Sequence, residues 1–169
     1  GAMGDPQTAA STGVAGLTLG GGFGYLTRRF GWTVDNLAEV EIVTADGGIR
    51  TASRDQHPEL FWALRGGGGN FGVVTRFTFR LHQVGPMITG GLVAHPIPRA
   101  LDVLRFFRDT CAHAPDEMML AAGMQTAPDG SNAKLVGVLA GHCGSLDQGE
   151  AAVAPLKAFG PPMMDALGP

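Results

Sequence analysis

Charge is scarce in this chain: Asp, Glu, Lys and Arg together make up 16% of its 169 residues, and the net charge is -3. No basic face accumulates from so few cations, and Arg28-Arg29 is too small a cluster to neutralise a phosphate backbone, which argues against a nucleic-acid partner. Cysteine is nearly absent. Cys111 and Cys143 could close at most one bridge, so no disulfide framework is expected. Nor do they suggest a metal: His142-Cys143 has no second pair at ligand spacing, and His113 stands apart beside Cys111. A small buried thiol and a strand-end histidine are the simpler reading. No apolar run is long enough to span a bilayer, so no membrane partner is expected and the cytoplasm is the default compartment. Spacing alone yields no Ser-His-Asp or Cys-His arrangement.

Glycine, by contrast, is abundant, at 27 residues, and it is clustered. With 44% hydrophobic residues there is also apolar material for a core. The run Gly66-Gly67-Gly68-Gly69 carries no Cβ atoms, so another molecule can lie directly against its backbone. A literal GxGxxG can be read across Gly67 to Gly72, but that fingerprint works between a strand and a helix N-terminus. Here the order is reversed. Residues 57–65 read as a short helix with Pro58 in its first turn and Asp55 or His57 near the cap. After the glycines, Val73, Thr75, Phe77, Phe79 and Leu81 alternate with Val74, Arg76, Thr78, Arg80 and His82 at strand period, the strand continuing to Val84. The dinucleotide reading is therefore rejected. Phe61 and Trp62 are expected to pack the helix onto the sheet, and Phe71 to be a buried aromatic.

A second cluster spans residues 13–24 and holds Gly13, Gly16, Gly20, Gly21, Gly22 and Gly24. Asp35-Asn36 reads either as a turn or cap, or as a polar contact to a ligand. Residues 37–45 form a strand, Asp46-Gly47-Gly48 a tight turn and residues 49–52 the returning strand. Gly85-Pro86 marks a boundary. Beyond it, residues 87–95 read as a strand and residues 98–114 as an amphipathic helix with Leu101, Leu104, Phe107 and Cys111 on one stripe. Residues 117–126 and 133–143 read as two strands, and Ser145 to Gln148 as a capping box opening a last helix to about Phe159. That β-α-β-β-α order is most of a ferredoxin-like unit, with Gly160-Pro161-Pro162 ending it.

The two glycine clusters, their separation and the intervening hairpin resemble one family: FAD-linked oxidases of the vanillyl-alcohol oxidase and berberine-bridge type, with a PCMH-type FAD-binding domain. The landmarks are "GVAGLTLGGGFG", "RRFG", "DNL", "VTADG" and "LFWALRGGGGNFGVVT", covering residues 11–84 densely. The resemblance implies an α+β fold, in which residues 7–85 are the second half of the FAD-binding domain. Residues 86–169 would be a partial ferredoxin-like, antiparallel substrate-domain unit. Residues 1–6 read as an expression scar. At this length the chain would be a fragment lacking the N-terminal half of the flavin domain and the C-terminal part, not competent alone.

The same resemblance supplies the expected site. Gly13, Val14, Gly16, Gly20, Gly21, Gly22 and Gly24 would pass the flavin ring and the adjoining phosphates. Gly72, Val73 and Val74 would offer main-chain bonds toward the adenine end. Thr12 stands where relatives control oxygen access, and Ala9 where some carry a thioether-forming cysteine, so no such link is expected. No residue is identified as the catalytic base. The implied activity is oxidation of an alcohol, sugar or amine, a small-molecule substrate, with hydride passing to FAD and then to oxygen. The alternative is a non-catalytic remnant or binding module that kept the fold without the cofactor. Phe77, Phe79 and Leu81, read as an uncovered apolar face, point to a homo-oligomer.

Overall fold

Asp46 organises the first hairpin. Its Oδ1 accepts from the Gly48 N–H at 3.1 Å and the Thr44 hydroxyl at 2.6 Å, while Oδ2 meets Arg50 at 2.7 Å. The Thr44 and Gly48 hydrogen bonds, with the Arg50 guanidinium, hold its carboxyl down to about 2. The turn joins β1 (Leu37–Val43) to β2 (Ile49–Ser53), and β3 (Val73–Phe79) pairs with the other side of β1. The result is an antiparallel sheet of order β2-β1-β3. The computed structural model describes residues 13–127 and 129–169, in two units, Gly1–Gln83 and Val84–Pro169. No helix among the described residues is long and apolar enough to cross a membrane.

Two bulges reset which side chains face the first core. On β1, Leu37 pairs with Phe79 and Glu39 with Thr78, leaving Ala38 extra, so Leu37 and Val40 are both buried although three apart. On β3, Glu41 pairs with Arg76 and Ile42 with Val74, leaving Thr75 extra. Val74 therefore packs inward with Phe77 and Phe79, and Val73 turns outward. Strict alternation over residues 73–82, as expected from the sequence, does not occur. Phe77 and Phe79 lie against the core rather than forming an uncovered face, and Leu81, beyond the strand, is 87% exposed.

The helix α3 (Pro58–Leu64) buries Phe61 and Leu64 in this core. Trp62, one residue round from Phe61, is 77% exposed, so it does not pack the helix onto the sheet as expected. The N-cap is His57, in the left-handed region at φ 47, and its side chain makes no cap bond. Its Nδ1 instead pairs with the Thr51 carbonyl at 2.9 Å. Phe71 is 38% exposed and thus not the buried aromatic that its position suggested. Two short helices precede the sheet, α1 (Val14–Leu19) and α2 (Thr27–Phe30), followed by a 3-10 turn at Thr33–Asn36.

The second unit is a four-stranded antiparallel sheet of order β5-β6-β4-β7. Its elements are β4 (Thr89–Pro96), α4 (Ala100–His113), β5 (Met118–Thr126), β6 (Lys134–His142), α5 (Leu146–Ala158) and β7 (Met164–Asp165). Ser145 caps α5, accepting from the Gln148 N–H while the Gln148 side chain accepts from the Ser145 N–H. The tail expected to end after Gly160-Pro161-Pro162 goes on to pair with β4: Met163 and Ala166 donate to the carbonyls of Ala94 and Leu92. That short strand completes the β-α-β-β-α-β order of a ferredoxin-like unit. The buried stripe of α4 centres on Val103, with Ala100, Phe106 and Phe107 beside it. Leu101 lies outside it, 60% exposed, so the stripe is offset from the one read in the sequence.

His95 is buried in this second core, edge-on to Phe159 with centroids 5.8 Å apart. Arg99 Nη1 lies 3.3 Å from its Nδ1. Burial first, and the Arg99 charge second, hold its pKa below the ordinary 6.5, against a hydrogen bond to the Pro161 backbone that favours the charged form. Because the folded pKa is the lower one, neutral His95 stabilises fully above the unfolded value, and the contribution is lost as pH falls below it. The urea midpoint of this unit, followed through its amide signals, is expected to drop between about pH 7 and pH 5. His95→Gln should flatten that dependence; an unchanged slope in the variant would refute it.

Candidate functional site

The wall of the candidate site is α1. Thr18 anchors it, buried, with its hydroxyl donating to the Val14 carbonyl at 2.6 Å. The N-cap and first turn of α1, Gly13, Val14, Ala15 and Gly16, are all exposed. A Cβ added at Gly13 or Gly16 would meet nothing within 4 Å. The packing of the described residues therefore does not demand glycine at either position. Gly13 and Gly16 thus leave two points of exposed backbone without a side chain, on either side of Val14 and Ala15.

Gly20, Gly21, Gly22 and Gly24 sit differently. Gly20 is the C-cap of α1, its N–H donating to the Gly16 carbonyl at 3.1 Å. The Gly21 and Gly22 carbonyls accept from Val34 at 3.0 Å and Thr33 at 2.9 Å. Trp32, Val34, Thr33 and Leu17 close round the same two residues. The Gly24 N–H donates to the Thr27 hydroxyl at 2.8 Å. Packing and turn geometry thus account for much of this loop. Beside it, Phe23 and Trp32 form an exposed edge-to-face pair with centroids 6.0 Å apart.

The second cluster follows α3 and precedes β3, as a 3-10 turn at Gly68–Phe71. Asn70 Nδ2 donates to the Gly67 carbonyl at 2.8 Å. A Cβ at Gly69 would meet nothing within 4 Å, whereas one at Gly72 would strike the Val43 carbonyl. Gly72, at φ 141, is what lets the turn close onto the end of β1. Val73 and Val74 pair with Val43 and Ile42. Among the described residues β3 is an edge strand, so alternate residues turn their N–H and C=O groups away from β1.

The fold packs α1 against both 3-10 turns, Thr33–Asn36 and Gly68–Phe71, so the two glycine clusters are neighbours within the first unit. Asp35 and Asn36 serve as a cap and a brace. Asp35 Oδ2 accepts from the Trp32 N–H at 2.9 Å, and Asn36 Nδ2 donates to the Phe30 and Trp32 carbonyls at 3.0 and 3.1 Å. Thr12 and Ala9 lie outside the described residues. In the second unit, His142 ends β6 and Cys143 follows it, both buried.

The antiparallel sheet with its two neighbouring glycine clusters is followed in the chain by the ferredoxin-like unit. Residues 1–53 match the family model of an FAD binding domain. The chain belongs to the PCMH-type, berberine-bridge-like family of FAD-linked oxidoreductases, in which FAD is the cofactor. It is similar to (R)-6-hydroxynicotine oxidase of Paenarthrobacter nicotinovorans, 34% identical over 92% of this chain and 34% of that protein. The crystal structure of 6-hydroxy-D-nicotine oxidase from Arthrobacter nicotinovorans gives a TM-score of 0.81 at 33% identity, covering 93% of this chain and 35% of that one. BBE-like 1 of Physcomitrella patens gives 0.75 at 29% identity, covering 90% and 32%. The chain spans about a third of the length of these relatives.

Proposed function

We propose that the first unit supplies part of an FAD-binding surface in an oxidoreductase acting on an alcohol, sugar or amine. The observation that carries this is the bare, exposed backbone at Gly13, Gly16 and Gly69, where neither packing nor a positive φ calls for glycine. Such a wall fits a flat ring system, and whichever of the adjacent residues Val73 and Val74 turns its main-chain groups away from β1 fits its polar periphery. FAD, when bound, takes up hydride from the substrate and passes the electrons to oxygen. The protein's own share is to bring backbone close, orient the ring and keep water from one side of it. The second unit is read as part of the substrate domain, and the partner as a small-molecule substrate. Self-association stays within the proposal, its apolar support shifted from Phe77 and Phe79 to exposed Ile49 and Trp62.

A second reading, a fold kept without its cofactor, draws on Gly21, Gly22 and Gly72, which the chain's own contacts explain. An FAD titration separates the two. The exposed wall covers a ligand from one side only, whereas tight sites bury most of a ligand's surface, so saturable binding weaker than about 1 µM is expected. Flavin fluorescence and backbone amide shifts both report it. No response of either up to millimolar FAD would leave the cofactor-free reading standing, and stoichiometric sub-micromolar binding would refute the one-sided site.

A further inference from the structure

Arg65 stands where the two glycine clusters meet. It is the C-cap of α3, immediately before the run that begins at Gly66. Its guanidinium reaches across the unit to the other cluster: Nε donates to the Val34 carbonyl at 3.2 Å, and Nη2 donates to Asp35 Oδ1 at 2.8 Å. Those acceptors belong to the 3-10 turn Thr33–Asn36, whose Thr33 and Val34 N–H groups hold the Gly22 and Gly21 carbonyls. One side chain thus ties the start of the second glycine run to the segment that fixes the first. Two further arginines of this unit form ion pairs that serve the sheet instead. Arg50–Asp46 closes the hairpin turn, and Arg76 lies across the sheet from Glu39 and Glu41 at 3.9 and 3.6 Å.

We propose that Arg65 is a positioning residue for the ligand surface, fixing the spacing between the α1 wall and the turn at Gly68–Phe71 so that one flat molecule meets both. This rests on the FAD reading above. Arg65 acts through Val34 and Asp35, and the guanidinium fork suits that role, bonding a backbone carbonyl and a carboxylate oxygen at once where an ammonium offers a single point of charge.

The test is an FAD titration followed by amide shifts in the whole chain. In the unaltered protein, the amides of Gly13 and Gly16 and those of Gly69 and Gly72 should move along one isotherm. In Arg65→Gln, studied below its melting midpoint, the two clusters should separate into different midpoints, with FAD affinity lowered about tenfold. Arg65→Lys should restore part of the common isotherm through Asp35. Asp35→Asn carries the same test should Arg65→Gln fail to fold, with a smaller separation. If both substitutions lower the melting temperature while affinity and the shared isotherm persist, Arg65 is structural only and the proposal is overturned. If FAD moves neither cluster in the unaltered chain, the FAD reading itself falls, and the positioning role with it.

Discussion

Gly72→Ala is expected to destabilise the first unit by about 3 kcal/mol, whether or not any ligand is present. The new methyl would meet the Val43 carbonyl, with the Ile42 Cδ1 atom 3.1 Å away. Neither can withdraw easily. Val43 pairs with both Ile49 and Val73 in the sheet, and Ile42 is completely buried. The backbone adds its own penalty, since φ 141 is a conformation that alanine resists. Urea unfolding measures the loss. A variant with unaltered stability that no longer binds FAD would reverse this and return Gly72 to direct contact with the ligand.

In the second unit the largest effect is expected at Gly91. At φ 137, a Cβ there would collide with the Ala166 carbonyl and approach the Leu167 Cα at 3.1 Å. Alanine at this position should detach residues 163–168 from β4, breaking the paired bonds between Gly90 and Gly168 and drawing Leu167 out of the core. The expected cost is about 3 kcal/mol, from lost leucine burial together with backbone strain. Hydrogen exchange locates it. The Ala166 and Gly168 amides should lose protection while β4 and β6 keep theirs, and a Gly168 amide as slow as in the parent would contradict the collision.

Most of the element order was legible in the sequence, because it rests on local signals. Asp46-Gly47-Gly48 marks a turn, Pro58 a helix start, and Ser145 with Gln148 a cap, and each lies where the structure has that feature. What escaped is what depends on a partner far along the chain. The extra residues Ala38 and Thr75 are identifiable only once β1 and β3 are paired. β7 is two residues long and follows two prolines, so it carries no period of its own. The exposure of Trp62 reflects how α3 is rolled against the sheet, which its apolar run PELFWAL does not reveal.

The candidate site was legible as a pair of glycine clusters but not as a division of labour among the glycines. Gly13, Gly16 and Gly69 are bare where none of the described residues approaches, while Gly21, Gly22 and Gly72 are crowded by their own neighbours. A string of identical letters hides that difference, since a glycine kept for a ligand and one kept for a carbonyl are the same residue. Arg65 was hidden for another reason: its acceptors at Val34 and Asp35 lie about thirty positions upstream, and no local pattern joins them.

The last strand has one more consequence, for how this fold tolerates change. Residues 163–168 are admitted to the sheet largely through backbone bonds to Gly90, Leu92 and Ala94, so their own sequence, Asp165 and the core residue Leu167 apart, is free to drift. The condition for their docking is written instead on β4, at Gly91, where the absence of a side chain leaves room for the Ala166 carbonyl. Sequence drift in the tail away from Leu167 would pass almost unnoticed, while a single added methyl far upstream would evict it.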